Sequence, residues 1–397
     1  MMNPLYFDYC ASTPLHPRVI QTMLDSAQHC YANPSSVHEM GFKASLRVEE
    51  SREQIARLLQ VQPQEIIFTS GATESNNLAI LGVIRAWMKK TGRTPHLMIS
   101  EIEHSSVYQC GKQLAEQGVE VSFLPVNRKG IVDPASVKES LQANTILVSV
   151  MHVNNETGTV QPVAEIAGLL RSMPHVLFHV DGVQGFGKTP VELEHIDLYT
   201  LSGHKIGGPK GIGLLMAKEH IELEPLMYGG GQEQGVRPGT TNVPAVLGLA
   251  EAIAAALEER EKKAEYLALL HDLVYAGLSA IPELIINSPE PPFSSPHIIN
   301  FSYARKGVTS AMMISMLGKR GIIVSSQSAC SSKAKQSRVL MAMTQDETIS
   351  SSGIRLSLHE DVKLADVKYL VASIEQTVRQ LKLTNKFDLL KEQQANR

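Results

Sequence analysis

The sequence has few of the features that mark several protein classes. It contains four cysteines in 397 residues, and no two are close enough for a Cys-x-x-Cys pair, so neither a zinc knuckle nor a disulfide framework is expected. No stretch reaches the roughly 18–20 apolar residues that cross a bilayer. Residues 1–8 contain no basic segment followed by an apolar run, which argues against a secretory signal. We therefore expect a protein of the reducing cytoplasm with no resident metal and no membrane contact.

The sequence also has little excess of one charge over the other. The formal net charge is −3 and charged residues make up 19% of the chain, so no basic excess exists to bind nucleic acid directly. Apolar residues make up 43%, as in ordinary globular proteins. A chain of 397 residues predicts one large and one smaller domain. We place the large domain at 15–260 and the smaller domain at 1–14 together with 261–397.

Short apolar runs alternate with amphipathic stretches between about residues 65 and 217. This alternation predicts an α/β fold with a mainly parallel seven-stranded sheet, covered by helices on both faces. Ligands of such sheets bind beyond the carboxyl ends of the strands. The predicted strands are 66–69, 97–100, 119–124, 145–151, 176–180, 198–201 and 213–217, and the predicted helices are 75–89, 105–116, 134–141 and 163–171.

A long helical pattern at 243–276 follows, with a charged run at 258–263 that is typical of a solvated helix face. We place the domain boundary near residue 260 within it. The remaining pattern predicts a smaller α+β domain. Its strands are expected at 298–303, 321–324 and 354–358, and its helices at 310–319 and 364–381.

Three groups of residues that can carry chemistry follow predicted strands. Lys205 lies in a glycine-rich turn, where partial desolvation would lower the pKa of its amine for Schiff-base chemistry. Asp181 can pair with a protonated pyridine nitrogen, or it can simply cap a helix. The segment 69–75 joins a strand to a helix, and its free N–H groups and hydroxyls can hold a phosphate or form a plain capping box.

In this order and spacing, the three groups resemble the pyridoxal-phosphate enzymes of fold type I. More narrowly, the chain resembles the cysteine desulfurases of the NifS/IscS type, in the class V aminotransferase family. Matching motifs span about residues 5–360, nearly the whole chain. They include LYFDYCASTP from Leu5, FTSGATESNNLA from Phe68, MHVNNETG from Met151, HVDGVQ from His179, GGGQEQGVRPGTT from Gly229 and SSQSACSS from Ser325.

The resemblance assigns roles to individual residues. It implies that Lys205 holds the cofactor covalently and acts as a base, and that Arg355 and Asn155 bind the substrate L-cysteine. It also implies a homodimer, in which Thr240 reaches the phosphate of the neighbouring subunit. The remaining implied contacts are Asp181 with the pyridine nitrogen, Gln184 and Asn155 with the phenolic oxygen, His104 stacked on the ring and serving as a catalytic residue, and Ala72, Thr73, Ser202 and His204 with the phosphate.

Cys330 is the implied nucleophile. Residues 325–337 contain six serines, two lysines and no large apolar side chain, a composition typical of an exposed loop. Lys333 and Lys335 would favour the thiolate. The resemblance implies that Cys330 takes sulfur from cysteine as a persulfide and passes it to an acceptor, such as an iron–sulfur scaffold or a tRNA-thiolation protein. It also makes Cys330 a transient ligand of a nascent iron–sulfur cluster.

Three departures and two alternatives accompany the resemblance, and the first departure is Cys10, where the family usually has alanine. Gln327 stands where the family usually has glycine, and Pro238 stands where it usually has serine or alanine. Within the enzyme class, the alternative is a selenocysteine lyase or another fold type I lyase. From another class, the alternative is a catalytically inactive scaffold of a sulfur-transfer complex, against which the intact Lys205, Asp181 and Arg355 argue.

Overall fold

A computed structural model of the chain describes residues 4–327 and 336–395, with side chains up to residue 383. The strands are β1 (Leu5–Tyr6), β2 (Ile66–Thr69), β3 (His96–Ser100), β4 (Glu120–Leu124), β5 (Thr145–Ser149), β6 (Leu177–Asp181), β7 (Leu198–Ser202), β8 (Gly213–Ala217), β9 (Ile285–Ile286), β10 (Ile298–Ser302), β11 (Ile322–Ile323) and β12 (Gly353–Ser357). The helices are α1 (Pro17–His29), α2 (Glu39–Leu59), α3 (Ala72–Asn77), α4 (Val83–Thr91), α5 (Ser105–Glu116), α6 (Pro134–Ser140), α7 (Val163–Leu170), α8 (Val243–Glu258), α9 (Arg260–Ser279), α10 (Ser310–Gly318), α11 (Arg338–Thr344), α12 (Glu347–Ser352) and α13 (Leu364–Ala395).

Contacts within the chain divide it into two compact units. The larger unit comprises residues 12–154 and 159–262, and the smaller comprises 1–11, 155–158 and 263–397. The smaller unit thus includes a four-residue stretch that interrupts the larger unit in sequence. That the predicted ranges 15–260 and 261–397 fold as separate domains stays a prediction.

The larger unit is built on a seven-stranded sheet in the order β2-β8-β7-β6-β5-β3-β4. Neighbours from β7 to β4 pair in parallel, and β8 is antiparallel to both β2 and β7. The predicted α/β fold with a mainly parallel sheet is therefore confirmed. All seven predicted strands are present, with ends that differ by up to two residues, as is usual for element boundaries.

The strands of this sheet are apolar on both faces because helices cover both. In β6, Phe178 and Val180 pack into the cluster on one face, whereas Leu177 packs against the cluster on the other. Successive side chains of a strand point to opposite faces, so a strand buried on both sides needs a nearly continuous apolar run. Each fully buried side chain of this size contributes about 1.5–3 kcal/mol.

The parallel pairing puts polar strand ends at one edge of the sheet. Asp181 is the last residue of β6 and Ser202 is the last residue of β7. Asp181 is in register with Thr200, so β7 extends two residues beyond the end of β6. This edge is where a parallel sheet is expected to bind ligands.

The smaller unit contains two short sheets. Its three-stranded antiparallel sheet has the order β12-β10-β9, and β1 pairs in parallel with β11. Phe7, Phe301, Leu356 and Leu370 are buried in its apolar core. Arg355 lies between the core residues Ile354 and Leu356 of β12, so its side chain points to the opposite face of the strand, where it is also buried.

The predicted single helix at 243–276 is wrong. Helix α8 ends at Glu258, α9 begins at Arg260, and Glu259 between them has non-helical dihedral angles of φ −97° and ψ 1°. Glu258 and Glu259 add negative charge where the helix dipole of α8 is already negative, which favours termination there. Apolar periodicity alone did not reveal this break.

Candidate active site

Asp181 is a buried carboxylate at the end of β6, with only 4% of its surface exposed. Its Oδ1 accepts a hydrogen bond from the Val183 N–H at 3.1 Å, and its Oδ2 accepts one from Asn76 Nδ2 at 2.7 Å. Two N–H donors stabilise the ionised form of a buried carboxylate. Asp181 can therefore face a cationic ring nitrogen.

The segment between β2 and α3 forms a cradle of small residues. Gly71 adopts φ +148°, which favours glycine, and a Cβ at Gly213 would lie only 2.7 Å from Gly71 Cα, so the close approach requires glycine at position 213. The Ser202 hydroxyl lies 4.0 Å from the position that a Gly71 Cβ would take. Ala72 and Thr73 begin α3, where the first N–H groups of a helix have no intrahelical partner. The predicted phosphate residues Ala72, Thr73 and Ser202 are thus brought together.

Glu74 fixes the shape of this cradle. It accepts a hydrogen bond from the Ser70 N–H at 2.6 Å and another from Arg237 Nε at 2.9 Å. Burial works to raise the pKa of Glu74, but the hydrogen bonds from Arg237 and Ser70 outweigh it, and the pKa lies below its ordinary value. The segment 229–241 is thereby joined to the cradle through Arg237. Thr240 lies exposed near the end of that segment.

Lys205 and His204 lie in a short 3₁₀ turn after β7, formed by Gly203–Lys205. Lys188 Nζ donates to the Lys205 carbonyl at 3.1 Å, and the Thr13 N–H donates to the His204 carbonyl at 3.0 Å. These contacts fix the backbone that carries both side chains. A glycine-rich sequence suits the turn because a Cβ on Gly203 would lie 2.7 Å from the Pro209 carbonyl oxygen.

His204 is neutral in this turn. Burial, followed by the neighbouring charges of Lys205 and Lys210, lowers its pKa to about 4. Its Nδ1 is buried, and within the described part of the chain it has no hydrogen-bond partner. A buried polar atom without a partner is rare in proteins and indicates a position where a ligand completes the site.

His104 begins helix α5 as its N-cap. Its Nδ1 accepts from the Ser106 N–H at 3.2 Å and lies 2.8 Å from the Ser106 hydroxyl. Asn76 Nδ2 lies 2.9 Å from the same hydroxyl. A chain of three hydrogen bonds therefore joins His104 to Asp181 through Ser106 and Asn76. Gln184, three residues after Asp181, is also buried.

The smaller unit holds the predicted substrate arginine. Arg355 is 2% exposed and donates from Nε to the Ser325 hydroxyl at 3.1 Å, from Nη1 to the Asn155 carbonyl at 2.8 Å and from Nη2 to Asp8 Oδ1 at 2.7 Å. Asn155 and Arg355 are thus brought together. A guanidinium carries five N–H groups, so two of them have no hydrogen-bond partner among the described residues and can bind a carboxylate.

The predicted nucleophile Cys330 and the loop lysines Lys333 and Lys335 lie outside the described residues. Of the other cysteines, Cys10 and Cys110 are buried and Cys30 is partly buried, and these three are not joined in disulfides. Burial raises the pKa of Cys110 to about 11, so it stays protonated at neutral pH and is a poor nucleophile.

Four polar residues of these sites were not predicted from the sequence. Asn76 and Ser106 support Asp181 and His104, and Asp8 and Ser325 support Arg355. All four lie within or directly beside the motifs that carry the resemblance. A polar side chain on an otherwise apolar helix face, as at Asn76, was the one available signal.

Comparison with known proteins agrees with this geometry. The family described as aminotransferase class-V matches residues 5–370. The chain is 38% identical over 390 residues to the cysteine desulfurase IscS of Pectobacterium carotovorum, covering 96% of this chain and 94% of that protein. A solved NifS-like protein superposes with a TM-score of 0.87 at 34% identity, covering 95% of this chain and 99% of that one. The solved structure described as SspA in complex with cysteine gives a TM-score of 0.78 at 33% identity, covering 89% and 99%.

These matches span almost the whole chain. The chain therefore belongs to the class-V aminotransferase family and, within it, to the cysteine desulfurases of the NifS/IscS type.

Proposed function

We propose that this protein uses pyridoxal 5′-phosphate to remove sulfur from L-cysteine, and that it leaves L-alanine and a persulfide on Cys330. The observation that carries the proposal is the strand-end edge of the larger unit. There a buried aspartate, Asp181, and the turn bearing Lys205 follow neighbouring parallel strands. The SspA structure contains cysteine, as its description states, which supports cysteine as the substrate of this chain.

The residues present fit the cofactor. The buried carboxylate of Asp181 suits a protonated pyridine nitrogen, and the unpaired Nδ1 of His204 suits a phosphate oxygen. When bound, pyridoxal phosphate supplies an electron sink for negative charge at the substrate Cα. Lys205 would hold it covalently, and His104 would stack on its ring. The other proposed contacts are Ala72, Thr73 and Ser202 with the phosphate, and Gln184 and Asn155 with the phenolic oxygen.

The reaction then depends on four side chains of this chain. Arg355 binds the substrate carboxylate through its two remaining N–H groups, which suits a planar bidentate donor. The Lys205 amine removes the Cα proton as general base. His104 transfers the substrate thiol proton. The Cys330 thiolate attacks the substrate sulfur, the bond between that sulfur and Cβ breaks, and the carbon fragment takes up protons and leaves as alanine.

We further propose a homodimer in which Thr240 completes the phosphate site of the partner. Thr240 is exposed, and its segment is joined to residue 35 by a hydrogen bond from Gln232 Nε2 to the Ser35 hydroxyl at 3.4 Å. Large apolar side chains nearby in sequence are strongly exposed, a feature that marks interaction surfaces. They are Tyr31, Val37, Phe42 and Tyr228, with exposed fractions of 71%, 105%, 67% and 85%.

The acceptor of the sulfur is proposed to be an iron–sulfur scaffold or a tRNA-thiolation protein. In the described part of the chain no helix is long and apolar enough to span a membrane. Cys10, Cys30 and Cys110 are not joined in disulfides, which supports a reducing compartment, and we propose the cytoplasm. Direct binding of nucleic acid is not proposed, since the net charge is −3.

Alanine formation and persulfide mapping in cysteine variants test the proposal. Cys330→Ser should still bind pyridoxal phosphate and cysteine but should form no persulfide, because a hydroxyl is a far poorer nucleophile toward sulfur than a thiolate. Cys110→Ser is the matched control and should keep most activity. Lys205→Ala should lose both the yellow cofactor band and alanine formation.

Other outcomes would replace the proposal with a named alternative. Full alanine formation by Cys330→Ser would favour direct elimination, as in a lyase. Much faster alanine formation from selenocysteine than from cysteine would favour a selenocysteine lyase. A wild-type protein that binds pyridoxal phosphate but forms no alanine from either substrate would favour an inactive scaffold.

A further inference from the structure

A buried asparagine connects the two polar groups that flank the proposed cofactor ring. Asn76, in α3, has no exposed surface. Its Nδ2 lies 2.7 Å from Asp181 Oδ2 and 2.9 Å from the Ser106 hydroxyl. An amide nitrogen carries two hydrogens, so both are used. The residues it joins are 30 and 105 positions away in the sequence.

The orientation of this amide is set by charge. If the amide were turned by half a rotation, its oxygen would face Asp181 Oδ2 at 2.7 Å, and two acceptors would repel each other. The nitrogen must therefore face Asp181. Asn76 Oδ1 is then left buried, and none of the described residues gives it a hydrogen bond. Such an unpaired buried oxygen is unfavourable, so position 76 is not optimised for stability alone.

The direction of the remaining hydrogen bonds follows from the first. The Ser106 hydroxyl accepts from Asn76, and its own proton can then be donated to His104 Nδ1 at 2.8 Å. The Ser106 backbone N–H also points at Nδ1, at 3.2 Å. Both donors need the lone pair of Nδ1, and the shorter hydroxyl contact adds to a backbone contact of the kind that His38 also has. Nδ1 of His104 is therefore the unprotonated nitrogen, and the proton of the neutral ring lies on Nε2.

We propose that Asn76 and Ser106 are positioning residues that hold Asp181 and His104 in one directed hydrogen-bond chain and keep His104 as the tautomer protonated on Nε2. The relevance to cofactor chemistry rests on the proposed function, but the tautomer itself is a property of the protein without cofactor. With Nδ1 occupied by the two Ser106 donors, the N–H at Nε2 can donate a hydrogen bond to substrate, whereas uptake of a substrate proton at Nδ1 would require release of the Ser106 contacts.

A second helix-capping histidine of the same protein provides an internal comparison for this proposal. His38 is also a helix N-cap, and its Nδ1 accepts from the Gly41 N–H at 3.1 Å. It is exposed, and the contact that caps its helix comes from a backbone N–H. If capping alone fixes the tautomer, His104 and His38 should behave alike. If the Ser106 hydroxyl matters, they should differ.

Nuclear magnetic resonance of ¹⁵N-histidine-labelled, cofactor-free protein above pH 8 tests the tautomer. We expect His104 Nδ1 to resonate as a pyridine-type nitrogen and Nε2 as a pyrrole-type nitrogen, with His38 nearer to the average of the two. Ser106→Ala and Asn76→Leu should each shift His104 toward His38. Ser106→Thr keeps the hydroxyl and should restore the wild-type pattern.

A matched control removes a buried hydroxyl that takes no part in the hydrogen-bond chain from Asp181 to His104. Ser75→Ala removes a hydroxyl bonded to Thr69 at 2.7 Å and should leave the His104 signals unchanged. The proposal is overturned if wild-type His104 carries its proton on Nδ1, or if Ser106→Ala and Ser75→Ala give identical His104 spectra. Circular dichroism of each variant confirms that the fold is retained.

Affinity for pyridoxal phosphate tests the Asp181 end. Asn76→Leu keeps the branched shape but has no donor, and we expect the dissociation constant for pyridoxal phosphate to rise about tenfold, the effect of one hydrogen bond to a charged group. An unchanged constant would overturn the role of Asn76 at Asp181. Neither measurement depends on sulfur transfer, so failure of this proposal and failure of the proposed desulfurase activity are distinguishable.

Discussion

Two buried arginines, Arg52 in α2 and Arg355 in β12, differ in how many of their guanidinium N–H groups donate a hydrogen bond. Arg52 forms a two-point contact with Glu233 at 2.9 and 2.8 Å and donates further to Glu49 and to the Ile66 carbonyl. Arg355 touches only one oxygen of Asp8, which the Ser325 hydroxyl also contacts at 2.7 Å. The first arginine therefore has one N–H without a hydrogen-bond partner among the described residues, whereas the second has two.

Two histidines, the buried His179 and the partly buried His204, show the same difference. His179 is fully buried, and its two ring nitrogens lie 2.8 Å from the Ser149 hydroxyl and 3.1 Å from the Thr200 hydroxyl. His204 has an unpaired Nδ1. Arg52 and His179 hold segments together, and Arg355 and His204 lie where a ligand is proposed. Within these two pairs, the number of hydrogen-bond partners distinguishes the residues that hold segments together from those at the proposed ligand site.

The largest expected effect is on the free energy of unfolding, at Arg52, the arginine with more hydrogen-bond partners. Arg52→Leu leaves the Glu233 carboxylate buried without its cation, and such a loss costs about 3–5 kcal/mol of unfolding free energy. Thermal and urea unfolding measure it. Arg57→Leu, an exposed arginine of the same helix with a 3.9 Å contact to Glu53, is the control and should cost under about 1 kcal/mol.

A rescue experiment separates charge from packing at this site. Adding Glu233→Gln to Arg52→Leu removes the stranded charge and should recover part of the loss. Equal costs for Arg52→Leu and Arg57→Leu would contradict the structural role assigned to Arg52.

The next largest expected effect is on substrate binding, at Arg355, the arginine with two N–H groups left to bind a ligand. Arg355→Lys keeps the charge opposite Asp8 but loses the planar pair of donors. We expect kcat/KM for cysteine to fall by about 10- to 150-fold, equivalent to roughly 1.5–3 kcal/mol for a lost charged hydrogen bond. Steady-state kinetics should show the change mainly in KM. Arg52→Lys is the paired control, and a larger KM change there would reverse the comparison.

The smallest expected effect is on stability at acid pH, at His179, the histidine whose two ring nitrogens both have partners. Burial lowers the pKa of His179 to about 3, whereas the unfolded chain has a pKa near 6.5. Below pH 6.5 the unfolded state therefore binds a proton that the native state does not, and stability falls with pH until about pH 3. Between pH 7 and 4.5 we expect wild type to lose about 1–3 kcal/mol more than His179→Asn.

Unfolding free energies at several pH values check this slope. His175→Asn changes an exposed histidine and should leave the pH dependence as in wild type. A His179→Asn protein with the wild-type slope would show that other groups govern acid unfolding.

Much of the fold was predictable because it depends on local pattern. All seven strands of the main sheet were predicted from apolar runs, and polar residues such as Asp181 and Ser202 were placed at their ends. The helix at 243–276 was wrong because a single non-helical residue, Glu259, does not disturb the apolar period on either side. Cys330 lies outside the described residues, and its role as the nucleophile stays a prediction.

The sequence by itself determined which strands form and which chemical groups follow them, since strand period and strand ends depend on neighbours in the chain. Only the tertiary structure decided which partners those groups have. Asn76 and Asp181 are 105 positions apart, and Asp8 and Arg355 are 347 positions apart. Contacts over such separations depend on sheet order and packing. No local pattern encodes them, so the partners of Asp181, His104 and Arg355 became visible only in the folded chain.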